Sequence, residues 1–274
     1  MEIAHLQPLS LLDYPGKVSA VIWTVGCNLR CPFCYNAELV LPKLGAVLPR
    51  LSVTGVLARL EERAKLLDGV VVSGGEPTLH PDLPALLREV RALGFLVKLD
   101  TNGTRPEVLR SLVDEGLVDY VALDVKAPFA RCPEFTGLLF PDHVASELVS
   151  DGRSTSGLFP DGHVASGSIP DGSLASELVY NVAARVRESV ALVRARAPDY
   201  EFRTTVAPGL APDDLFSIAH EIRGARRYVL QPFFVPDGKR LVDEAWRGRP
   251  ALSSDTLRAL LPELQKLVST ELRG

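Results

Sequence analysis

The sequence holds four cysteines, one methionine and two tryptophans in 274 residues, and no block of like charge. Lys plus Arg number 30 against 34 Asp plus Glu, a net charge of −4. Without a basic stretch there is no electrostatic reason to expect a nucleic acid partner. No apolar run approaches the roughly 20 residues that a membrane-spanning helix needs, so the mean hydropathy of +0.13 reflects Leu and Val of a core, with no membrane expected. The opening Met1-Glu2-Ile3-Ala4-His5 lacks a basic region followed by an apolar segment, which predicts no signal peptide. With few cysteines, most of them clustered, a disulfide framework is not expected; the pattern reads as a metal site in a reducing compartment. The expectation is a cytoplasmic enzyme. Its length suits a single α/β barrel, and 46% hydrophobic residues suffice for a large core.

What is present starts with Cys27-Asn28-Leu29-Arg30-Cys31-Pro32-Phe33-Cys34, preceded by Gly26. Three thiolates on one tight loop grip a metal centre from one side. They cannot by themselves close a tetrahedral zinc site, which wants four ligands, but they can hold three irons of a four-iron cluster. The fourth iron is then free to bind a reactant. The alternative is a zinc site completed by Cys132 or a histidine. Cys132 has no partner at close spacing and reads as a buried bystander.

Periodicity predicts a turn at 13–16, a strand at 18–25 that ends at the cysteines, and a helix at 53–67. Strand 70–72 leads into Ser73-Gly74-Gly75-Glu76-Pro77, and helix 83–93 into strand 95–99 and Asp100-Thr101-Asn102-Gly103. Helix 107–113 precedes strand 120–125, which carries Asp124 and ends at Lys126. Then come helix 180–196, strand 200–206, helix 213–223, strand 228–230 and helix 253–272. Six strands alternating with helices predict an α/β chain of parallel βαβ units, an open partial (β/α)6 barrel within a single domain spanning 1–274. Residues 141–179 interrupt it as a tandem repeat of four nine- or ten-residue units. Such units are too small to bury a core and predict a flexible insertion after the fourth strand, with Ala175–Val179 recruited into the following helix.

Cys27, Glu76, Asp100, Asn102, Asp124, Lys126 and Arg203 all fall at C-terminal strand ends, the rim where parallel α/β folds build active sites. Gly74 and Gly75 offer backbone without Cβ, and Glu76 a carboxylate, groups that can take an ammonium. Arg203 is either a surface residue or a guanidinium placed to hold a carboxylate.

The C-x3-C-x2-C spacing with Phe33 before the last cysteine, together with Gly74-Gly75-Glu76-Pro77 after the second strand, resembles the radical S-adenosylmethionine (radical SAM) superfamily. The resemblance implies a [4Fe-4S] cluster on Cys27, Cys31 and Cys34, with S-adenosylmethionine as the second cofactor. Phe33 would shield the cluster and touch the nucleoside, while Gly74, Gly75 and Glu76 would take the methionine amino group. Asp100, Thr101 and Asp124 would place a cation and the methionyl end. Asn102 would bond the ribose or carboxylate region, Lys126 the methionine carboxylate, and Arg203 would join them. The cofactors do the chemistry, so no side chain need be a general base.

Residues 11–17 and 26–36 further resemble the anaerobic ribonucleoside-triphosphate reductase activating proteins, although Tyr35 stands where many of those have His. That resemblance implies reductive cleavage of S-adenosylmethionine to a 5′-deoxyadenosyl radical, which takes hydrogen from a glycine of a partner reductase, with flavodoxin or ferredoxin as electron donor. Another glycyl radical enzyme, a peptide or a small molecule is the alternative substrate. A non-catalytic zinc-binding protein is the alternative of a different class.

Overall fold

The computed structural model describes residues 1–137 and 173–273. The repeat at 141–179 lies outside the described residues up to 172. From Ser173 the backbone is helical, so the last repeat unit runs into the helix that follows it.

Eight strands form one sheet in sequential order: β1 (Ile3–Ser10), β2 (Ser19–Thr24), β3 (Gly69–Gly74), β4 (Leu96–Thr101), β5 (Tyr120–Asp124), β6 (Asp199–Val206), β7 (Tyr228–Pro232) and β8 (Thr270–Leu272). β1 is antiparallel to β2 and every other pair is parallel. β8 does not pair with β1, so the barrel stays open, as expected. The helices are α1 (Ala37–Val40), α2 (Pro42–Gly45), α3 (Val53–Glu61), α4 (Leu83–Ala92), α5 (Pro106–Asp114), α6 (Cys132–Thr136), α7 (Ser173–Arg196), α8 (Pro212–Glu221) and α9 (Ser254–Leu264).

Among the described residues, eight strands replace the six expected. β1 escapes periodicity because Pro8 and two register irregularities break its alternation. β8 was hidden in the predicted helix 253–272: that helix stops at Leu264, after Pro262, and Thr270–Leu272 pairs with β7. The helix expected at 53–67 ends at Glu61, its last residues turning back toward β3.

The parallel strands are buried on both faces, as βαβ packing requires. With a side-chain period of two, one face of the sheet supplies Ile22, Val70, Val72, Val97, Leu99, Leu123 and Phe202 to the large core under the helices. The other face supplies Val21, Val71, Tyr120 and Ala122, closed by Tyr14 from the turn before β2; the Tyr14 and Tyr120 rings lie 5.7 Å apart. Two residues further along those same strands, the inner face becomes polar: Ser73 follows Val71, and Asp124 follows Ala122. An apolar floor below and a polar wall above thus follow from one alternation.

Candidate functional site

The cysteine loop leaves β2 and is strapped from three directions. Arg30 N–H donates to Thr136 O (3.0 Å), Gly26 N–H to Leu39 O (2.7 Å), and Val242 and Asp243 N–H to Cys34 O and Pro32 O (2.9 and 3.0 Å). Phe33 packs against Phe135 and Trp246, with ring centroids 6.4 and 6.1 Å away. The Gly74-Gly75 pair is required by close approach. A Cβ on Gly74, whose φ is +123°, would lie 2.2 Å from Thr24 N, and one on Gly75 1.9 Å from Gly26 O. The glycines therefore let the end of β3 press against the root of the cysteine loop, where Gly75 N–H donates to Thr24 O and Glu76 N–H to Gly26 O.

Every residue that the sequence singled out lines one cavity of about 240 Å³: the three cysteines, Phe33, Gly74, Gly75, Glu76, Asp100, Thr101, Asn102, Asp124, Lys126 and Arg203. Cys132 lines a smaller neighbouring cavity, together with Asn102, Asp124 and Lys126.

Glu76 is fully buried. Its Oε1 accepts from Thr78 N (3.1 Å), Thr78 Oγ1 and Thr101 Oγ1 (2.8 Å), and its Oε2 from Asn102 N (2.7 Å). One carboxyl thus ties the end of β3 to the end of β4. Burial raises its pKa, against the pull of those hydrogen bonds.

Across β4, β5 and β6 the wall is ionic. Lys98 Nζ bonds Asp100 Oδ1, Arg203 Nη1 reaches Asp100 Oδ2 (3.3 Å), Arg203 Nε donates to Asp124 Oδ1 (2.9 Å), and Lys126 Nζ to Asp124 Oδ2 (3.3 Å). Each of the four carboxylate oxygens meets a cation of the chain itself. Burial alone would raise both carboxyls, but Arg203 with Lys98 or Lys126 holds Asp100 and Asp124 below the usual range. Burial likewise disfavours charge on Arg203 and Lys126, and the aspartates more than reverse this.

Arg203 is therefore an internal ion-pair residue. Lys98, 1% exposed, escaped the sequence reading. Its signal was available: a lysine inside a buried strand, two residues before Asp100 and so on the same face. Ser73, at the head of the Gly-Gly-Glu-Pro segment, also lines the cavity, as do Trp23, Thr205 and Gln231, which the sequence did not single out.

Burial pushes the Cys27 thiol up to about 11, and those of Cys31 and Cys34 up as well, while Lys126 pulls each of them back. Such thiols give up their protons to a strongly cationic centre. Among the described residues no three His, Cys, Asp or Glu side chains converge closely enough to hold a single metal ion. Three cysteine thiols on one cavity can hold three irons of a cluster and leave a fourth iron open, whereas a tetrahedral zinc site wants four ligands. The donor set thus suits an iron–sulfur cluster and does not suit mononuclear zinc.

Comparison with known proteins agrees. Residues 21–139 match the family model of the radical SAM superfamily. A candidate glycyl-radical enzyme activating enzyme of Methanocaldococcus jannaschii is 30% identical over 94% of this chain and 89% of its own length. A 7-carboxy-7-deazaguanine synthase of Methanopyrus kandleri is 33% identical over 42% of this chain and 52% of its own. Among solved structures, Streptococcus suis SuiB bound to S-adenosylmethionine superposes with a TM-score of 0.53 over 93% of this chain and 52% of SuiB. At 12% identity, that likeness shows the fold.

Proposed function

Because this chain belongs to the radical SAM superfamily, whose cofactors are a [4Fe-4S] cluster and S-adenosylmethionine, we propose that it activates a glycyl radical enzyme. The observation that carries the cofactor site is the single cavity in which three unpaired thiols face a glycine pair, a buried carboxyl and an ionic wall. The group bound there supplies one-electron cleavage of S-adenosylmethionine to a 5′-deoxyadenosyl radical.

In this reading Cys27, Cys31 and Cys34 hold the cluster. Phe33, packed against Phe135 and Trp246, keeps water from it and lies against the nucleoside. The Gly74 and Gly75 carbonyls and the free lone pair on Glu76 Oε2 take the ammonium of the methionyl end. Thr101 fixes Glu76 from below. Arg203 and Lys126 turn spare donors toward the carboxylate, while Asp100 and Asp124 hold those two cations in place.

Two observations favour a protein substrate. The likeness to the candidate activating enzyme runs almost end to end. In addition, Leu9, Leu11 and Leu12, 53%, 69% and 83% exposed, form an apolar run beside Asp13 of the cavity wall, along the edge where the sheet stays open. The loops at 11–17 and 26–36 favour anaerobic ribonucleoside-triphosphate reductase as the partner, reduced flavodoxin or ferredoxin as electron source and the cytoplasm as the setting. Among the described residues no helix is long and apolar enough to cross a membrane.

The test uses anaerobic protein reconstituted with iron and sulfide. Expected are about four irons per chain, reductant-dependent formation of deoxyadenosine, loss of both in Cys31→Ala, and a glycyl radical signal when the reductase is added. Zinc alone without cleavage overturns the reading. Cleavage without any radical on a glycyl enzyme overturns the substrate.

A further inference from the structure

Asn102 is buried, with 6% exposure, and its amide has a settled orientation. Oδ1 accepts the backbone N–H of Thr104 at 3.0 Å. A backbone N–H can only donate, so the oxygen must lie on that side and the NH2 group on the other. That NH2 group lies 3.0 Å from Asn28 Oδ1 and 3.8 Å from Cys27 Sγ. Asn28 Nδ2 donates to Thr104 Oγ1 (2.8 Å), which donates to Asn102 Oδ1 (2.6 Å). The three side chains close a ring in which each donor has one acceptor. The ring joins the cysteine loop to the end of β4.

α7 braces the ring from behind, through Arg185 Nε on Thr104 O and Ser189 Oγ on Gly103 O, both 2.7 Å. Cys27 Sγ also accepts the Leu29 N–H at 3.4 Å. Among the described residues neither Cys31 nor Cys34 has a side-chain donor on its sulfur. Cys34 has the Asn36 backbone N–H, but the one side-chain donor among the described residues falls on Cys27 and sits on a fixed support.

Resting on the cluster assignment above, we infer that Asn102, held by Asn28 and Thr104, is a positioning residue that donates to the Cys27 sulfur and raises the reduction potential of the bound cluster. A hydrogen bond to a thiolate stabilises the more negative, reduced state, and such bonds help set cluster potentials. The step concerned is the uptake of one electron from the external donor; no bond of the protein forms or breaks. Asn102 thus makes the cluster easier to reduce without adding a charge beside it.

The experiment is an anaerobic redox titration followed by electron paramagnetic resonance on reconstituted wild type, Asn102→Ser and Thr104→Val. A serine hydroxyl can still cap Thr104 N–H but is too short to reach the sulfur. Expected for Asn102→Ser is about a tenfold loss in the reduction equilibrium, a shift of about 59 mV to more negative potential for one electron. Thr104→Val, which keeps the amide and its backbone anchor, is expected to shift by less than half of that. An Asn102→Ser cluster that titrates with wild type overturns the inference.

A second measurement needs no variant. With asparagine labelled at the side-chain amide nitrogen, the reduced wild-type cluster should show a hyperfine coupling to that nitrogen, and its absence overturns the inference independently. A wild type that assembles a cluster and cleaves S-adenosylmethionine but shows neither effect sinks this inference alone. A wild type that assembles no cluster sinks the proposed function first.

Discussion

The rim of the cavity is held in two different ways. From β2 to β4 it is joined by contacts that carry almost no charge: backbone against backbone at Gly74 and Gly75, amides and hydroxyls around Asn102, and a single carboxyl, Glu76, enclosed by four donors. From β4 to β6 it is held by alternating full charges, Lys98, Asp100, Arg203, Asp124 and Lys126. The uncharged contacts tie the cysteine loop to the ends of β3 and β4, while Lys126 of the ionic half still pulls on all three thiols. The ionic half faces the place where a ligand with its own ammonium and carboxylate must be oriented. Buried charges are tolerable there because each has a partner.

The largest effect should come from breaking the neutral half at its backbone. In Gly75→Ala the new methyl carbon would sit 1.9 Å from Gly26 O, and backbone cannot yield as a flexible side chain does. The expected loss is at least about 3 kcal/mol of stability in chemical denaturation, with failure to take up iron. A variant that folds and binds iron like wild type would show that the two strand ends can separate freely.

Next is Arg203→Met, which leaves Asp100 and Asp124 without their shared cation. Removing one partner of a buried ion pair costs about 3–5 kcal/mol; the lower end is expected because the Asp124 side chain is 29% exposed. The pH dependence has a definite sign. In wild type both carboxyls titrate below their ordinary value, so their contribution is complete above about pH 4 and is lost as pH falls through the lower folded values. In the variant, burial without Arg203 raises both carboxyls, and protonation relieves the strain. The gap in Tm between wild type and variant should therefore narrow as pH is lowered from 7 toward 4. A gap that widens in acid would mean that Arg203 is not what depresses these groups.

Much of this division was legible in the sequence. The thiols, the Gly-Gly-Glu segment and the strand-end Asp, Asn and Lys residues are marked by spacing and by their position after apolar runs, and they do share one cavity. Less legible was how they engage one another. Nothing in the string tells that the Glu76 carboxyl is held by Thr78, Thr101 and Asn102, because those bonds arise only when β3 and β4 pair in register. Lys98 was readable from period two and was passed over because a lysine in an apolar strand looks like an interruption. β1 and β8 were missed for the usual reason at sheet edges: such strands are half exposed or very short, and their alternation is weak.

Glu76→Gln should have a smaller effect and sharpens the neutral half. Glutamine keeps one acceptor but turns an NH2 group toward a donor, most directly Asn102 N–H, so about 1–2 kcal/mol should be lost near neutral pH. Because burial raises the Glu76 carboxyl, its ionised form becomes less favourable to folding as pH rises through that folded value. Wild type should therefore lose some of its advantage over the variant as pH rises above the ordinary glutamate value. An advantage that grows over that range would mean the carboxyl is depressed instead.

The smallest effect should be that of Cys132→Ala. Cys132 lies where the halves meet, lining a small cavity with Asn102 of the one and Asp124 and Lys126 of the other. Burial pushes its thiol up to about 11, so it carries no charge at neutral pH. The loss of a few packing contacts should cost about 1 kcal/mol, with iron content and the paramagnetic signal of the reduced cluster unchanged. If that signal changes, Cys132 is in reach of the metal centre, and the boundary between the uncharged and ionic halves does not run where the three clustered cysteines place it.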